Sequence, residues 1–412
     1  MPLEPLGTEG RNDAPTQAMR GSNQSGMRAY NQRLVLTLVY SHGSLSKTDI
    51  ARMTGLSAQT VSVIMRELEA EELLVKGTPI RGKVGQPSVP LSINPDGALF
   101  LGLKVGRRSA ELVLLDFLGD PKATLRQSYP WPTPGAITAF VRRGLGEILS
   151  TLEPRQRQRV AGLGIAMPFE LWNWTEQADA PRAEMDAWRQ VDLRAEIAAL
   201  CDFPVYCQND ATAACSAELV FGTHKGLTDF VYLYVGTFIG GGVVLNGSIH
   251  AGRTGNAGVL APMPVAGPDG KPVQLLELAS IMSLERRMRA SGRDPSPLWE
   301  SPEHWEGFED LVEDWIPTVA YALAHAIVAA GSIIDFEHAV IDGGLPADIR
   351  TRLVAATRAE IARFDTQGME VPKIIEGTIG EIARALGAAS LPLFDKFLLD
   401  RNTLLGDTES RA

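Results

Sequence analysis

Two stretches of this 412-residue chain repeat one layout, and any fold must accommodate both. Residues 99–119 read LFLGLKVGRRSAELVLLDFLG: a strand, a Gly turn, a second strand and a closing Asp-x-x-Gly turn. Residues 230–247 read FVYLYVGTFIGGGVVLNG: again strand, Gly turn and strand, closed at Asn246-Gly247. The repeat predicts a duplicated unit, each half opened by a β-hairpin. Apolar patterning predicts further strands over 160–166, 205–207 and 339–341, and helices over 136–152, 193–200, 211–221, 305–332 and 346–363. Strands and helices mixed in two halves predict an α/β body of two lobes with a cleft between them.

Ahead of this body the pattern changes. Residues 31–41, NQRLVLTLVYS, place Leu34 with Leu38 and Val35 with Val39 on one helical face. A second helix is expected over 47–53, capped by Ser46, with Ile50, Ala51 and Met53 inward. Gly55 suits the left-handed residue of a tight interhelical turn, Leu56 plugs the core, and Ser57 caps a third helix over 58–70. Val61, Ile64, Met65 and Leu68 form its buried stripe, leaving Gln59, Thr60, Ser62, Val63 and Arg66 outward. Short and hydrogen-bonding side chains on the N-terminal face of such a helix suit entry into a DNA major groove. Strands over 73–76 and 89–93 flank a Gly-rich basic hairpin tip with Arg81 and Lys83, a wing that can lie against the DNA backbone. The turn cluster Asn94-Pro95-Asp96-Gly97 is a natural domain boundary.

Bulk properties agree with this division. Residues 1–94 hold ten Lys/Arg and eight Asp/Glu, a net of +2, so the remainder carries −12 of the total −10. A mildly basic head on an acidic body fits DNA contact through the head alone. No run of about 18 apolar residues appears, which argues against a membrane span, and residues 1–28, rich in Gly, Ser, Asn and Pro, read as a disordered tail without a secretory signal. Cys201, Cys207 and Cys215 match no common zinc spacing and no disulfide framework; small buried residues in a reducing cytoplasm fit them best.

From about residue 30 the chain resembles the ROK family (repressors, uncharacterised reading frames and kinases), and within it the regulators with an N-terminal winged helix. The resemblance is carried, in family order, by Gly164-Ile165-Ala166-Met167-Pro168, Asn209-Asp210-Ala211-Thr212-Ala213-Ala214, Gly236 to Gly242, Leu245-Asn246-Gly247, Leu276-Glu277 and Ile341-Asp342-Gly343-Gly344-Leu345. It implies an actin-like, hexokinase-type (ribonuclease H-like) body, assembled as homodimers or homotetramers. The expected organisation is a tail over 1–28, a winged helix-turn-helix over 29–94, and a sugar-kinase-like effector domain over 95–405 whose second lobe starts near 215.

The same resemblance argues against kinase chemistry. The family's phosphate-binding Asp-x-Gly-x-Thr hairpin is here Lys104-Val105-Gly106-Arg107-Arg108, and a lysine has the wrong sign for a Mg²⁺ partner. The Gly-Glu-Ile-Gly-His motif is Gly258-Val259-Leu260-Ala261-Pro262, where neither Val259 nor Pro262 can grip sugar or zinc. Asp210 stands at the position of the general base, but an Asp there also suits a sugar sensor. Phe238 interrupts the second Gly-rich loop, which reads better as a tight hairpin than as a nucleotide cradle. The chain is therefore expected to be no enzyme, to need neither zinc nor ATP, and to bind operator DNA and a sugar or polyol effector. The effector is expected at Asn209, Asp210, Glu277, Phe169 and Glu170, the last two in an aromatic-rich loop. Two other classes stay open: a sugar kinase with an appended winged helix, and a protein-docking module.

Overall fold

The computed structural model describes residues 24–79, 89–173, 180–224, 226–267 and 269–399. Three helices open the chain: α1 (Gln24–His42), α2 (Lys47–Thr54) and α3 (Ala58–Ala70). Each turn has a local cause. Ser46 and Ser57 cap α2 and α3 by accepting from Asp49 N–H and Thr60 N–H, and Gly55 ends α2 at φ 69°. The α3 stripe is buried as its spacing predicts. Met53, expected inward, is exposed; Ile50 is buried and Ala51 packs against the core as expected, while half-buried Thr54 donates its hydroxyl to Ile50 O and accepts from Leu56 N–H. The first helix starts at Gln24, so residues 24–28, expected in the tail, belong to it. Strands β1 (Ser44–Leu45), β2 (Leu74–Lys76) and β3 (Leu91–Ile93) form an antiparallel sheet in the order β1-β3-β2. The hairpin tip with Arg81 and Lys83 lies outside the described residues.

The body is two sheets of one topology. Strands β4 (Leu99–Val105), β5 (Ser109–Leu115), β6 (Pro121–Ser128), β7 (Val160–Ala166) and β8 (Val205–Gln208) stand in the order β6-β5-β4-β7-β8. In the second lobe are β9 (Phe230–Val235), β10 (Ile239–Leu245) and β11 (Ser248–Ile249). A small hairpin follows, of β12 (Pro264–Ala266) and β13 (Pro272–Gln274), then β14 (His338–Gly343) and β15 (Lys373–Glu376). The lobe's main sheet has the matching order β11-β10-β9-β14-β15. In both, hairpin strands pair antiparallel and the central strand pairs parallel with the next, as the repeat implies. β4, β5, β7 and β9 are buried along their whole length and read as largely apolar runs, with Lys104, Ser109 and Glu111 as the buried polar exceptions. Glu309–Gly331 is long and apolar enough to cross a membrane by length and composition, yet its Val312, Trp315, Val319, Leu323 and Ile327 are buried in the core of the second lobe. Of the cysteines, Cys215 is buried and Cys201 half-buried; Cys207, expected buried, is exposed on the strand at the edge of its sheet.

The helix Ala383–Lys396, which closes the fold, was not legible in the sequence. It lies against β4, β7 and the interlobe helix Asp210–Phe221 with almost no side chain between backbones. A Cβ on Gly164 would sit 1.8 Å from Ala388 O, and one on Gly387 1.7 Å from Ala213 O. The end of this helix also holds the head. Arg33 Nη2 donates to Phe394 O and Leu398 O at 2.6 and 2.5 Å, and Leu399 N–H donates to the buried Thr37 hydroxyl at 2.9 Å. Phe117 and Phe397 pack at 4.9 Å under the linker, and Arg155 and Arg159 pair with Glu72.

Gly387→Ala is expected to lower stability by about 3 kcal/mol, the upper part of the overpacking range, because both contacting atoms are backbone. Urea denaturation checks this; an unchanged midpoint would mean the two helices can move apart freely.

Candidate functional site

Two surfaces carry the residues singled out by sequence. The first is the outward face of α3. Gln59, Val63 and Arg66 are exposed, and Thr60 and Ser62 are half-buried. Ser57 is engaged as the cap, its Oγ 3.0 Å from Thr60 N and 2.8 Å from Thr60 Oγ1. Arg66 Nε donates to Ser62 O at 3.1 Å. Beside this face lie Met27, Arg28 and Asn31 of α1, which together with Ser57, Gln59 and Val63 line one shallow hollow. Arg28 pairs with Glu67, which also accepts from Gln32 Nε2 at 3.1 Å. Sequence reasoning missed this contribution because it left residues up to 28 in the tail; Arg28 four residues ahead of Gln32 was the available signal.

The second surface is the cleft. A cavity of about 260 Å³ opens between the lobes. Asp210, Asn209 and Phe169 line it, with the β9–β10 turn at Thr237 and Phe238, and Val259 and Leu276 on the far wall. Asn209 caps the interlobe helix, its Oδ1 accepting from Ala211 N–H and Thr212 N–H, so its amide NH₂ is what it can offer a ligand. Glu277 does not line the cavity; it pairs with Arg286. Glu170 is also outside the lining, exposed at φ 57° and bonded by Asn173 Nδ2 at 2.7 Å. The glycines of 240–242 serve packing: a Cβ at Gly240 would meet Ala211 Cβ at 2.7 Å, and one at Gly242 would meet Cys215 Cβ at 2.6 Å.

Where the family hairpin would hold phosphate, the chain carries buried ion pairs. Lys104 Nζ is 2.7 Å from Glu111 Oε1 and 3.0 Å from Ser109 Oγ, with Lys104 and Glu111 both almost wholly buried. Burial pulls the Lys104 ammonium down to about 8, against the opposing pull of Glu111. Arg107 and Arg108 cross to the second lobe and share Glu285, at 3.0 and 2.6 Å. Arg108 also stacks over Trp299 at 4.6 Å and donates to Pro130 O at 2.6 Å. Arg126 pairs with Glu381 and donates to Trp299 O at 2.6 Å. Arg384, at the start of the closing helix, stands 3.3 Å from Asp210 Oδ2 and over the Tyr234 ring at 5.0 Å. Asp342 is buried and fully engaged by Tyr232 OH, Gly380 N–H and Arg350 at 2.9 to 3.1 Å. None of Arg126, Glu285, Glu381 or Arg384 was singled out from sequence. Glu285, Glu381 and Arg384 lie far along the chain from the hairpin they serve, and Arg126 sits on the neighbouring edge strand β6; none belongs to a local motif.

The comparisons with known proteins fit both surfaces. A family model described as ROK family matches residues 100–393, and one described as winged helix-turn-helix DNA-binding matches residues 28–75. The chain is 24% identical over 379 residues to an uncharacterised protein of Sinorhizobium fredii, covering 89% of this chain and 91% of that one. It is 25% identical over 248 residues to the xylose repressor of Bacillus subtilis, covering 59% of this chain and 62% of the repressor, so that match spans under two thirds of the relative. Among solved structures, a ROK family transcriptional regulator described as a homologue of the E. coli MLC protein superposes with a TM-score of 0.64 at 21% identity, over 90% of this chain and 98% of that one. A ROK family glucokinase from Streptomyces griseus, solved with glucose and AMPPNP, gives 0.56 at 20% identity, over 71% of this chain and 99% of that one.

Breaking one partner of the buried Lys104–Glu111 pair strands the other. Lys104→Met is expected to cost about 3–5 kcal/mol, and the double variant Lys104→Met/Glu111→Leu to recover most of that loss. A double-mutant cycle by chemical denaturation checks it; additive losses would show that the two charges are not coupled.

Proposed function

The chain belongs to the ROK family, and on that premise we propose that it is a sequence-specific DNA-binding transcriptional regulator, a repressor of carbohydrate-related genes, whose cleft takes a sugar or sugar-derivative effector. In this reading residues 29–94 bind operator DNA, residues 95–405 sense the effector, and two or four copies act together in the cytoplasm. Ser57, Gln59, Thr60, Ser62, Val63 and Arg66 face the DNA, joined by Arg81 and Lys83 from the wing. The observation that carries the reading is the pairing, in one chain, of an outward α3 face with a cleft whose phosphate position is taken up by internal ion pairs.

The kinase alternative fits less well. Asp210 would have to take a proton from a sugar hydroxyl, yet its Oδ2 is already engaged by Arg384. Lys104 repels the divalent cation that phosphoryl transfer uses.

Coupling is proposed as a population shift. The closing helix has Arg384 in the cleft at one end and hands Phe394 and Leu398 carbonyls to Arg33 of α1 near the other. A change in lobe angle on ligand binding would thereby reach the head and alter how paired heads match two half-sites. A cavity of about 380 Å³ between α1 and the body, bordered by Thr37, Tyr40 and Phe394, leaves the joint room to rearrange.

Selection of bound duplexes from a random pool, with full-length protein at fixed salt, is expected to enrich a two-half-site sequence. Weak binding without enrichment would sink the regulator reading. On the selected site, Gln59→Ala is expected to cost about 1–3 kcal/mol and relax one base position, whereas Arg66→Ala should weaken all sequences alike and lower the salt slope by about one. Arg33→Ala, which touches no DNA in this reading, is expected to change the effector response while leaving half-site preference intact; an unaltered response would remove the joint from the mechanism.

A further inference from the structure

The cavity between the lobes combines a polar floor with apolar side chains at its mouth. Its polar lining divides in two. Arg107, Arg384 and Tyr234 are engaged within the protein, by Glu285, Asp210 Oδ2 and Glu381 O. That leaves the Asn209 NH₂, Asp210 Oδ1, Thr237 and Asn256 to meet a ligand, and all four residues are half-buried. Two apolar side chains border the same cavity, one from each lobe, and stand largely in water. Phe169, just past β7 of the first lobe, is 45% exposed, and Val259, between β11 and β12 of the second, is 52% exposed. A single exposed apolar side chain is ordinary. Two that border one concave site are a surface that a ligand can cover.

Resting on the reading of the cleft as an effector site, we propose that its ligand is a glycoside with an apolar aglycone: a sugar ring carrying a phenyl- or butyl-sized group on its anomeric oxygen, not a free sugar. The ring lies on the polar floor, where the four half-buried side chains bond its hydroxyls. The volume of about 260 Å³, just under the usual range for ligand pockets, holds one ring and puts a group attached to that ring at the mouth. There Phe169 and Val259 pack against the aglycone and are removed from water. A free sugar presents a hydroxyl at this place, to which Phe169 and Val259 offer no partner, and a hydroxyl stripped of water without a hydrogen bond is unfavourable. An apolar group there instead adds affinity in proportion to the area it covers. The contact draws on both lobes, so a bound aglycone favours one lobe angle over others.

Titration calorimetry on the full-length chain tests this with the methyl, n-butyl and phenyl glycosides of D-glucose, D-galactose, D-xylose and N-acetyl-D-glucosamine, in both anomers, beside the parent sugars. At least one phenyl or butyl glycoside is expected to bind ten-fold or more tightly than its methyl counterpart, with a more negative heat-capacity change. In Phe169→Ser/Val259→Ser, that ratio is expected to fall at least five-fold. Methyl glycosides or free sugars that bind as tightly as the larger glycosides would overturn the proposal and leave the sugar-effector reading standing. No binding by any member would sink both. A ratio that survives the double variant would also overturn the proposal; the other outcomes are read on the unaltered protein and do not depend on the variant folding. Operator release is measured alongside: a glycoside that binds without shifting DNA affinity supports the ligand class and refutes effector control.

Discussion

The closing helix Ala383–Lys396 meets the first sheet and the interlobe helix at backbone distance, and the arrangement of everything else depends on that contact. Its glycines and alanines leave no room for adjustment: Gly387 lies against Ala213 O, and Ala388 O against Gly164. A joint of this kind transmits displacement as a rigid body, because close-packed interiors have little compressibility. Fourteen helical residues span about 21 Å. The helix therefore sets Arg384 in the cleft and the carbonyls under the head at a fixed separation, and it cannot tilt at one end without moving the other.

The cleft wall is built from buried ion pairs. A kinase hairpin keeps its phosphate position open for an incoming anion and metal. Here the same hairpin brings Lys104, Arg107 and Arg108, and the second lobe supplies Glu285 and Glu381 to meet such cations. Buried pairs of this type add little net stability relative to apolar packing, but they fix geometry, since every alternative arrangement leaves a charge without its partner. Several of the pairs cross between lobes, so the ion pairs also register one lobe against the other.

How much of this was legible in the sequence follows from the range of the forces involved. Capping, turns and helical periodicity are local, and Ser46, Gly55, Ser57 and the α3 stripe could be assigned from neighbouring residues alone. The paired hairpins were legible because each joins two largely apolar, buried strands through a Gly-bearing turn. The closing helix was not: ARALGAASLPLFDK has small residues all round and a proline near its end, and its pattern makes sense only against two glycine-bearing partners. β6 escaped for a related reason, as an edge strand that alternates exposed and half-buried residues. At the site, Asn209, Asp210 and Phe169 were found through motif position, and the structure brings them to one cavity. Glu277 and Glu170 came from the same reasoning, but their side chains turn to Arg286 and Asn173. Motif position locates a backbone; where a long side chain ends depends on neighbours the sequence does not name.

The joint between Arg33 and the Phe394 and Leu398 carbonyls also has a consequence in time. The two sides are separated by 361 and 365 residues, so a ribosome completes the head long before it makes the residues that hold it. At ordinary elongation rates the interval is about 20–70 s. Throughout it the nascent chain carries the head sequence without the residues that dock it. The contact that seats the head on the body can thus form only once the closing helix has been synthesised.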